Sequence, residues 1–303
     1  MSLDWTSLIH DSLNLSIPLI LAALGGLVQL RAGTVNIAIE GQMICGALAG
    51  FVASATFKNY QAGIVSSLIV GAIFGAFISF LITVLKGNEI LVGLGFNVLI
   101  VGAIGYVLKS VLNISGTLNS INVVQIPKFD LVSETAPPFL AVLLNGHDIL
   151  YWIAILLIVA IPFFLAKTRS GLRLRSVGLA PTTSTALGLT VSRIKIFSGL
   201  FAGGMAGLAG CALCLGQVGL FNLQMIAGRG FIALAAFYFG RLASIPTALA
   251  CLTFAFFDSL QVQLQLMDFS SNLVSTLPYA MVIVALAASQ FMYKMRSRRS
   301  IRI

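Results

Sequence analysis

Apolar runs of membrane-crossing length, separated by short polar breaks, dominate this chain from end to end. A helix needs about 20 apolar residues to cross a bilayer. Runs of that kind predict nine spans, at 13–30, 33–57, 62–85, 89–112, 149–166, 194–216, 217–240, 242–262 and 273–292. The predicted fold class is therefore an all-α polytopic membrane protein with about nine transmembrane helices, within a range of about eight to ten. Ala227, Gly228, Arg229 and Gly230 interrupt the seventh run, which reads either as a broken span or as a re-entrant pair.

The connections are short, with two exceptions. Residues 113–148 carry Pro127, Pro137 and Pro138 and an apolar stretch, Phe139 to Leu144, too short to span. Residues 167–193 are basic at both ends, and their middle predicts a short helix opening at Pro181, whose fixed φ suits a first helical turn. No long polar segment or flexible linker stands apart, so residues 1–303 are expected to form a single transmembrane domain. Met1 to Ser12 holds Asp4 and Asp11 and no basic residue, unlike the start of a cleaved secretory signal.

Composition agrees with the pattern. Hydrophobic residues make up 58% of the 303 and charged residues 9%, against about 25% charged in soluble domains. The mean hydropathy is +1.02. The net charge of +9 fixes an orientation instead of a nucleic-acid partner. With the amino terminus outside and the carboxyl terminus in the cytoplasm, fourteen of the eighteen basic residues fall inside. Lys58, Lys109, Lys128 and Arg229 are left outside. Basic loops resist translocation, so this orientation is preferred, in a cytoplasmic (inner) membrane. The basic tail from Lys294 to Arg302 reads as a contact with anionic membrane lipid, not with nucleic acid.

Catalytic equipment is sparse. No Gly-Lys pair exists to close a phosphate-binding loop, and with His10 and His147 as the two histidines no nucleophile triad or two-histidine metal site is predicted. Cys45, Cys211, Cys214 and Cys251 lie in apolar runs and read as helix-packing residues. No cofactor is expected in this chain. Three polar groups in apolar surroundings are candidates for a solute path. Asn36 and Glu40, four apart, are expected on one helix face, with Gln42 beside them. A carboxylate inside a bilayer costs about 2.5–3.5 kcal/mol on insertion scales, so Glu40 faces either a solute path or an internal hydrogen-bonded clasp. Glu89 reads as a helix-start charge, while Phe96 and Asn97 lie deeper and either line a cavity or bridge helices. Arg229 sits between Gly228 and Gly230 at the predicted break, and Asp258 in the next run either pairs with a basic residue or approaches an interface.

Several stretches, in order, carry a family resemblance: Gly33–Gly41 (GTVNIAIEG), Asn88–Gly93 with Asn97, Gly171–Gly178 (GLRLRSVG), Ala186–Gly188, Gly203–Gly210 (GGMAGLAG), Gly228–Ala236 (GRGFIALAA) and Leu277–Tyr279. Together they resemble permeases of the branched-chain amino acid and simple-sugar ABC importers, above all the nucleoside-importer branch. The chain departs from the family at Gly178-Leu179-Ala180-Pro181, where an acidic or amide residue is usual before the proline, and at Gly240-Arg241-Leu242, where Trp is usual. The resemblance implies a second homologous permease, a cytoplasmic ABC ATPase that holds ATP and Mg, and an extracytoplasmic solute-binding protein. It also implies that the loop at 170–190 docks on the ATPase, with Arg173, Arg175, Pro181, Ala186 and Gly188 as coupling candidates. The expected function is import of a small polar solute, with a nucleoside first, riboflavin or a ribose-type sugar as alternatives, and an ion-coupled secondary transporter using Glu40 and Asp258 as a different class.

Overall fold

The computed structural model describes residues 5–111, 117–130 and 142–266. The helices in order are α1 (Trp5–Arg31), α2 (Ile39–Phe57), α3 (Tyr60–Thr83), α4 (Glu89–Tyr106), α5 (Ile149–Lys167), α6 (Arg169–Leu179), α7 (Pro181–Ala186), α8 (Val191–Cys211), α9 (Arg229–Phe239) and α10 (Ser244–Leu266). α4 and α8 run on into π-helical turns, Val107–Val111 and Ala212–Val218. Four strands of two or three residues form two antiparallel pairs, β1 (Thr117–Leu118) with β4 (Phe221–Asn222) and β2 (Phe129–Asp130) with β3 (Asn145–His147). Among the described residues, seven helical units are long and apolar enough to cross a membrane. This is an all-α polytopic membrane protein. The expected span at 273–292 lies outside the described residues, as does the first half of the apolar stretch from Phe139 to Leu144.

α1 is the axis of the bundle. From Ser16 to Gln29 every residue is buried, because α5, α8, α9 and α10 pack around it. A second seam joins α3 to α8 through small residues, the usual way for helices to approach closely in lipid. A Cβ on Gly71 would strike the Gly203 carbonyl, and one on Gly75 the Gly199 carbonyl. Ser67 Oγ donates across to the Gly46 carbonyl of α2 at 2.8 Å. The outer faces are the reverse: Leu91, Val98 and Leu99 on α4 and Leu156, Val159 and Phe163 on α5 are exposed. Such surfaces suit hydrocarbon and would aggregate in water.

One predicted element differs, and a second is resolved between its two alternatives. The run at 33–57 is helical only from Ile39, because Gly33, at φ +81°, turns the chain out of α1. Asn36 therefore precedes α2 and does not share a helix face with Glu40; its Oδ1 instead accepts from Ala38 N at 3.1 Å. The run at 217–240 is not a continuous span. Its helix, α9, has 11 residues, about 16 Å at 1.5 Å per residue, against a hydrocarbon core of about 30 Å. The segment nevertheless runs from one end of the bundle to the other. Gln217 Nε2 donates to the Asn14 carbonyl at 2.9 Å, and Arg31 Nε donates to the Leu242 carbonyl at 3.1 Å. Asn14 and Arg31 are about 25 Å apart along α1. The crossing is made by the Gly219 turn, β4, an irregular stretch and then α9, so of the two alternatives it is the broken span and not the re-entrant pair. Arg229 consequently lies within the bundle beside α10, not in an outer loop, and it pairs with Asp258 at 2.8 Å.

Candidate functional site

The two breaks face each other across the start of α2. In the first, the non-helical residues 32–38 are held by bonds to three other elements, α2, α4 and α8. Val35 N donates to Glu89 Oε2 at 2.9 Å. Asn97 Nδ2 donates to the Ile37 carbonyl at 2.9 Å, and Asn97 Oδ1 accepts from Gly41 N at 2.8 Å. Asn36 Nδ2 donates to Gln42 Oε1 at 2.9 Å. Lys195 Nζ, from α8, donates to the Gly33 carbonyl at 3.0 Å. Non-helical backbone here is tolerated because protein groups satisfy it. Glu89 therefore does more than sit at a helix start: Asn88 caps α4 by accepting from Ile90 N, and the Glu89 carboxylate secures the break.

In the second, α9 begins at Arg229 with Ala227 and Gly228 both at positive φ. The exposed amides at its start need an acceptor, and Glu40 supplies one. Gly228 N donates to Glu40 Oε1 and Gly230 N to Glu40 Oε2, both at 2.8 Å. A carboxylate at a helix N-terminus also meets the positive end of the helix dipole. Arg229 extends the cluster by its bond to Asp258, and its Nη1 donates to the Met225 carbonyl.

The structure thus brings Asn36, Glu40, Phe96, Asn97 and Arg229 into one neighbourhood around Gly41. Phe96 is buried, and its ring would be struck by a Cβ on Gly41. In the conformation seen here, Asn36, Glu40 and Asn97 spend their polar atoms on backbone and neighbours. Sequence reasoning missed Gln29, buried on α1 with Nε2 donating to Ser79 Oγ at 2.9 Å while its Oε1 has no partner among the described residues. Gln42 Nε2 is likewise buried without one. A lone amide in a featureless apolar helix was the available signal.

At the Arg31 end, α6 and α7 form a separate feature. Thr168 caps α6, its Oγ1 accepting from Gly171 N at 3.0 Å. Gly178 lies against the carbonyl of Arg31 and the backbone of Gly33 so closely that a Cβ has no room. Pro181 opens α7, and Gly188, at φ +81° with open space around it, ends the turn behind it. Arg173, Pro181 and Ala186 are exposed, Arg175 is half-buried, and Leu179 and Leu187 flank α7 at 83% and 77% exposure. Those two leucines are further residues that the sequence reading did not single out.

The opposite end is polar and partly buried. His147 stacks on Tyr151, with centroids 3.9 Å apart, and on His10. Its Nε2 donates to the Val142 carbonyl at 3.0 Å. Burial pushes the His147 pKa below its ordinary 6.5, against the Val142 bond and helped by His10 and Lys128. Burial also raises Asp148, whose Oδ1 accepts from Tyr151 N at the start of α5.

Residues 8–286 match the family model of the branched-chain amino acid transport system permease component. The nucleoside ABC transporter permease protein NupC of Lactococcus lactis is 32% identical, over 92% of this chain and 91% of its own length. The guanosine ABC transporter permease protein NupQ of Bacillus subtilis is 29% identical, over 89% and 87%. The putative glucose ABC transporter permease protein TsgC13 of Haloferax volcanii is 30% identical, over 85% and 78%. No solved structure matches. With the family model covering most of the chain and the broken, polar-stitched bundle lying inside the matched residues, this protein belongs to the branched-chain amino acid transport system family of ABC transporter permeases.

Proposed function

We propose that this permease carries a nucleoside into the cytoplasm as one subunit of an ATP-driven importer. The similarity to NupC and NupQ, over most of the length of all three chains, carries the choice of solute. NupB of Lactococcus lactis, a nucleoside permease too, is 26% identical, which supports a second homologous permease beside this chain. ATP and Mg belong on a cytoplasmic ABC ATPase, and a solute-binding protein delivers from outside.

The Arg31 end of the bundle faces the cytoplasm. Arg31, Lys86, Lys167, Arg169, Arg173, Arg175, Arg193, Lys195 and Arg241 lie at that end of their elements, and Lys58, Lys109 and Lys128 at the other. α7, with Leu179 and Leu187 open beside it, is the surface for the ATPase, and Gly188 shapes it. The polar neighbourhood of Asn36, Glu40, Phe96, Asn97 and Arg229 borders the solute path and opens when the two breaks separate.

Uptake of labelled uridine, guanosine and glucose into vesicles holding the whole importer tests the solute. ATP-dependent nucleoside uptake that glucose does not compete with is expected. Glucose uptake without nucleoside uptake supports the sugar reading that TsgC13 favours, and collapse by a protonophore in the presence of ATP overturns the ATP-driven reading. Gly188→Trp tests the coupling surface. The side chain has room, at a left-handed backbone cost of about 1–2 kcal/mol, so membrane insertion survives while ATPase co-purification and uptake fall. Full co-purification and uptake in the variant refute the docking role.

A further inference from the structure

A cavity of about 790 Å³ opens between α5, α6 and α8, away from the polar neighbourhood of the two breaks. Its walls are apolar, with Ile161 and Phe164 on α5 and Phe197 and Phe201 on α8. Its rim carries two cations, Arg173 on α6 and Arg193 in the first turn of α8. Both are exposed, and neither has an ion pair among the described residues. We propose that this cavity binds one anionic phospholipid of the cytoplasmic leaflet, its phosphate between Arg173 and Arg193 and an acyl chain along the aromatic wall.

Three observations fit that occupant. From Arg193 to Phe201 the cavity follows α8 for about 12 Å, close to the depth of one leaflet's hydrocarbon, about 15 Å. Phe197, in the cavity wall, is 68% exposed, so the wall is open and not sealed by protein. A cationic rim over an apolar body matches the charge order of an anionic headgroup over its chain, whereas a nucleoside offers neither a long chain nor a phosphate. The inference rests on the orientation above, which puts the Arg31 end at the anionic inner leaflet. It also gives Arg173 a lipid contact in place of a contact with the ATPase.

The test is quenching of a tryptophan reporter by bromine-labelled lipid. Trp5 and Trp152 are the two tryptophans of the chain, so Trp5→Phe and Trp152→Phe clear the background and Phe164→Trp reports from the cavity wall. Phe201→Trp is a second reporter, for use if the first does not fold. The full chain goes into phosphatidylcholine vesicles containing brominated phosphatidylglycerol or brominated phosphatidylcholine. Symmetric vesicles make the readout independent of which end faces the cytoplasm, so a failure here is separable from a failure of the orientation. Expected is a preference for phosphatidylglycerol of about fivefold per arginine, the scale of one basic residue near an anionic surface. Arg173→Gln with Arg193→Gln abolishes it, and Arg175→Gln on the same helix leaves it intact. Equal quenching by both lipids, absence of quenching, or a preference that survives the double substitution overturns the proposal. So does loss of the preference on adding inorganic phosphate, which assigns the rim to a free anion.

Discussion

Glu40→Gln separates a clasp from a solute ligand. In the structure both carboxylate oxygens accept backbone amides at the start of α9, at 2.8 Å each. Gln offers one oxygen and turns an NH2 group toward the other amide. One charge-assisted bond is lost, worth about 1.5–3 kcal/mol, and the amide left without an acceptor costs about 1–3 kcal/mol more. Removing a buried carboxylate offsets part of this, by up to about 3 kcal/mol on insertion scales. A net loss of about 2 kcal/mol follows. At about 2–4 °C per kcal/mol for a chain of comparable size, the thermal midpoint of the purified chain in detergent falls by about 4–8 °C. Uptake by the assembled importer falls in proportion to the folded fraction. Glu40→Asp, one methylene short, reaches only one amide and falls as far. An unchanged midpoint with uptake abolished would falsify the clasp, because the carboxylate would then be acting on solute and not on α9.

Arg229→Met and Asp258→Leu each leave one charge unpaired inside the bundle and lower the midpoint. Combining Arg229→Met with Asp258→Leu restores much of it, since replacing a pair by apolar groups costs less than breaking it; strictly additive losses in the double variant refute the pairing. Gly203→Ala drives a methyl into the Gly71 carbonyl and the backbone of Gly75, whereas Gly204→Ala crowds only the flexible tip of Leu68 and is in ordinary contact with its other neighbours. The first loses about 1–3 kcal/mol and the second under about 1 kcal/mol, measured as detergent melting midpoints; equal effects refute the close α3–α8 seam. His147 is held below its ordinary pKa of 6.5 by burial, so the unfolded chain binds more protons than the folded one as pH falls. Its contribution to stability is complete above about 6.5 and is lost on acidification through the lowered value. Melting midpoints between pH 7.5 and 5 should show that slope in the wild type and a shallower one in His147→Gln.

The bilayer makes spans easy to read, and the run boundaries at 149–166 and 62–85 lie close to α5 and α3. The break at Ala227–Gly230 was legible in its glycines, but the one before α2 was not. Residues 32–38 continue into an apolar run, and what keeps them out of a helix is a set of partners such as Glu89 and Lys195, remote in sequence. Charge counting placed Arg229 outside because the counterion that holds it in the bundle, Asp258, lies a full element away. The candidate residues Asn36, Glu40, Asn97 and Arg229 were visible as polar groups in apolar runs. Their meeting around the start of α2 was not, since α9 reaches Glu40 from 188 residues along the chain.

That meeting point also bears on how a push at α6 and α7 reaches the membrane interior. Gly178 of α6 packs on the Arg31 carbonyl and on Gly33 with no space for a side chain, so α6 cannot shift without moving the end of α1 and the start of the first break. Val35, two residues on, is tied to Glu89 of α4, and Ile37 to Asn97. Glu40 then carries the strain to α9 through two amides. Each link is a short polar bond or a backbone contact, stiffer than sliding apolar side chains. On the proposed reading, an ATPase that draws α7 away from the bundle therefore loosens the first break before the second, which lies further along this series of contacts. Gly178→Ala, which forces α6 off α1 without touching α7, should keep the ATPase bound while uncoupling ATP hydrolysis from uptake. Coupled uptake in that variant would place the transmission elsewhere, through α8 and Lys195.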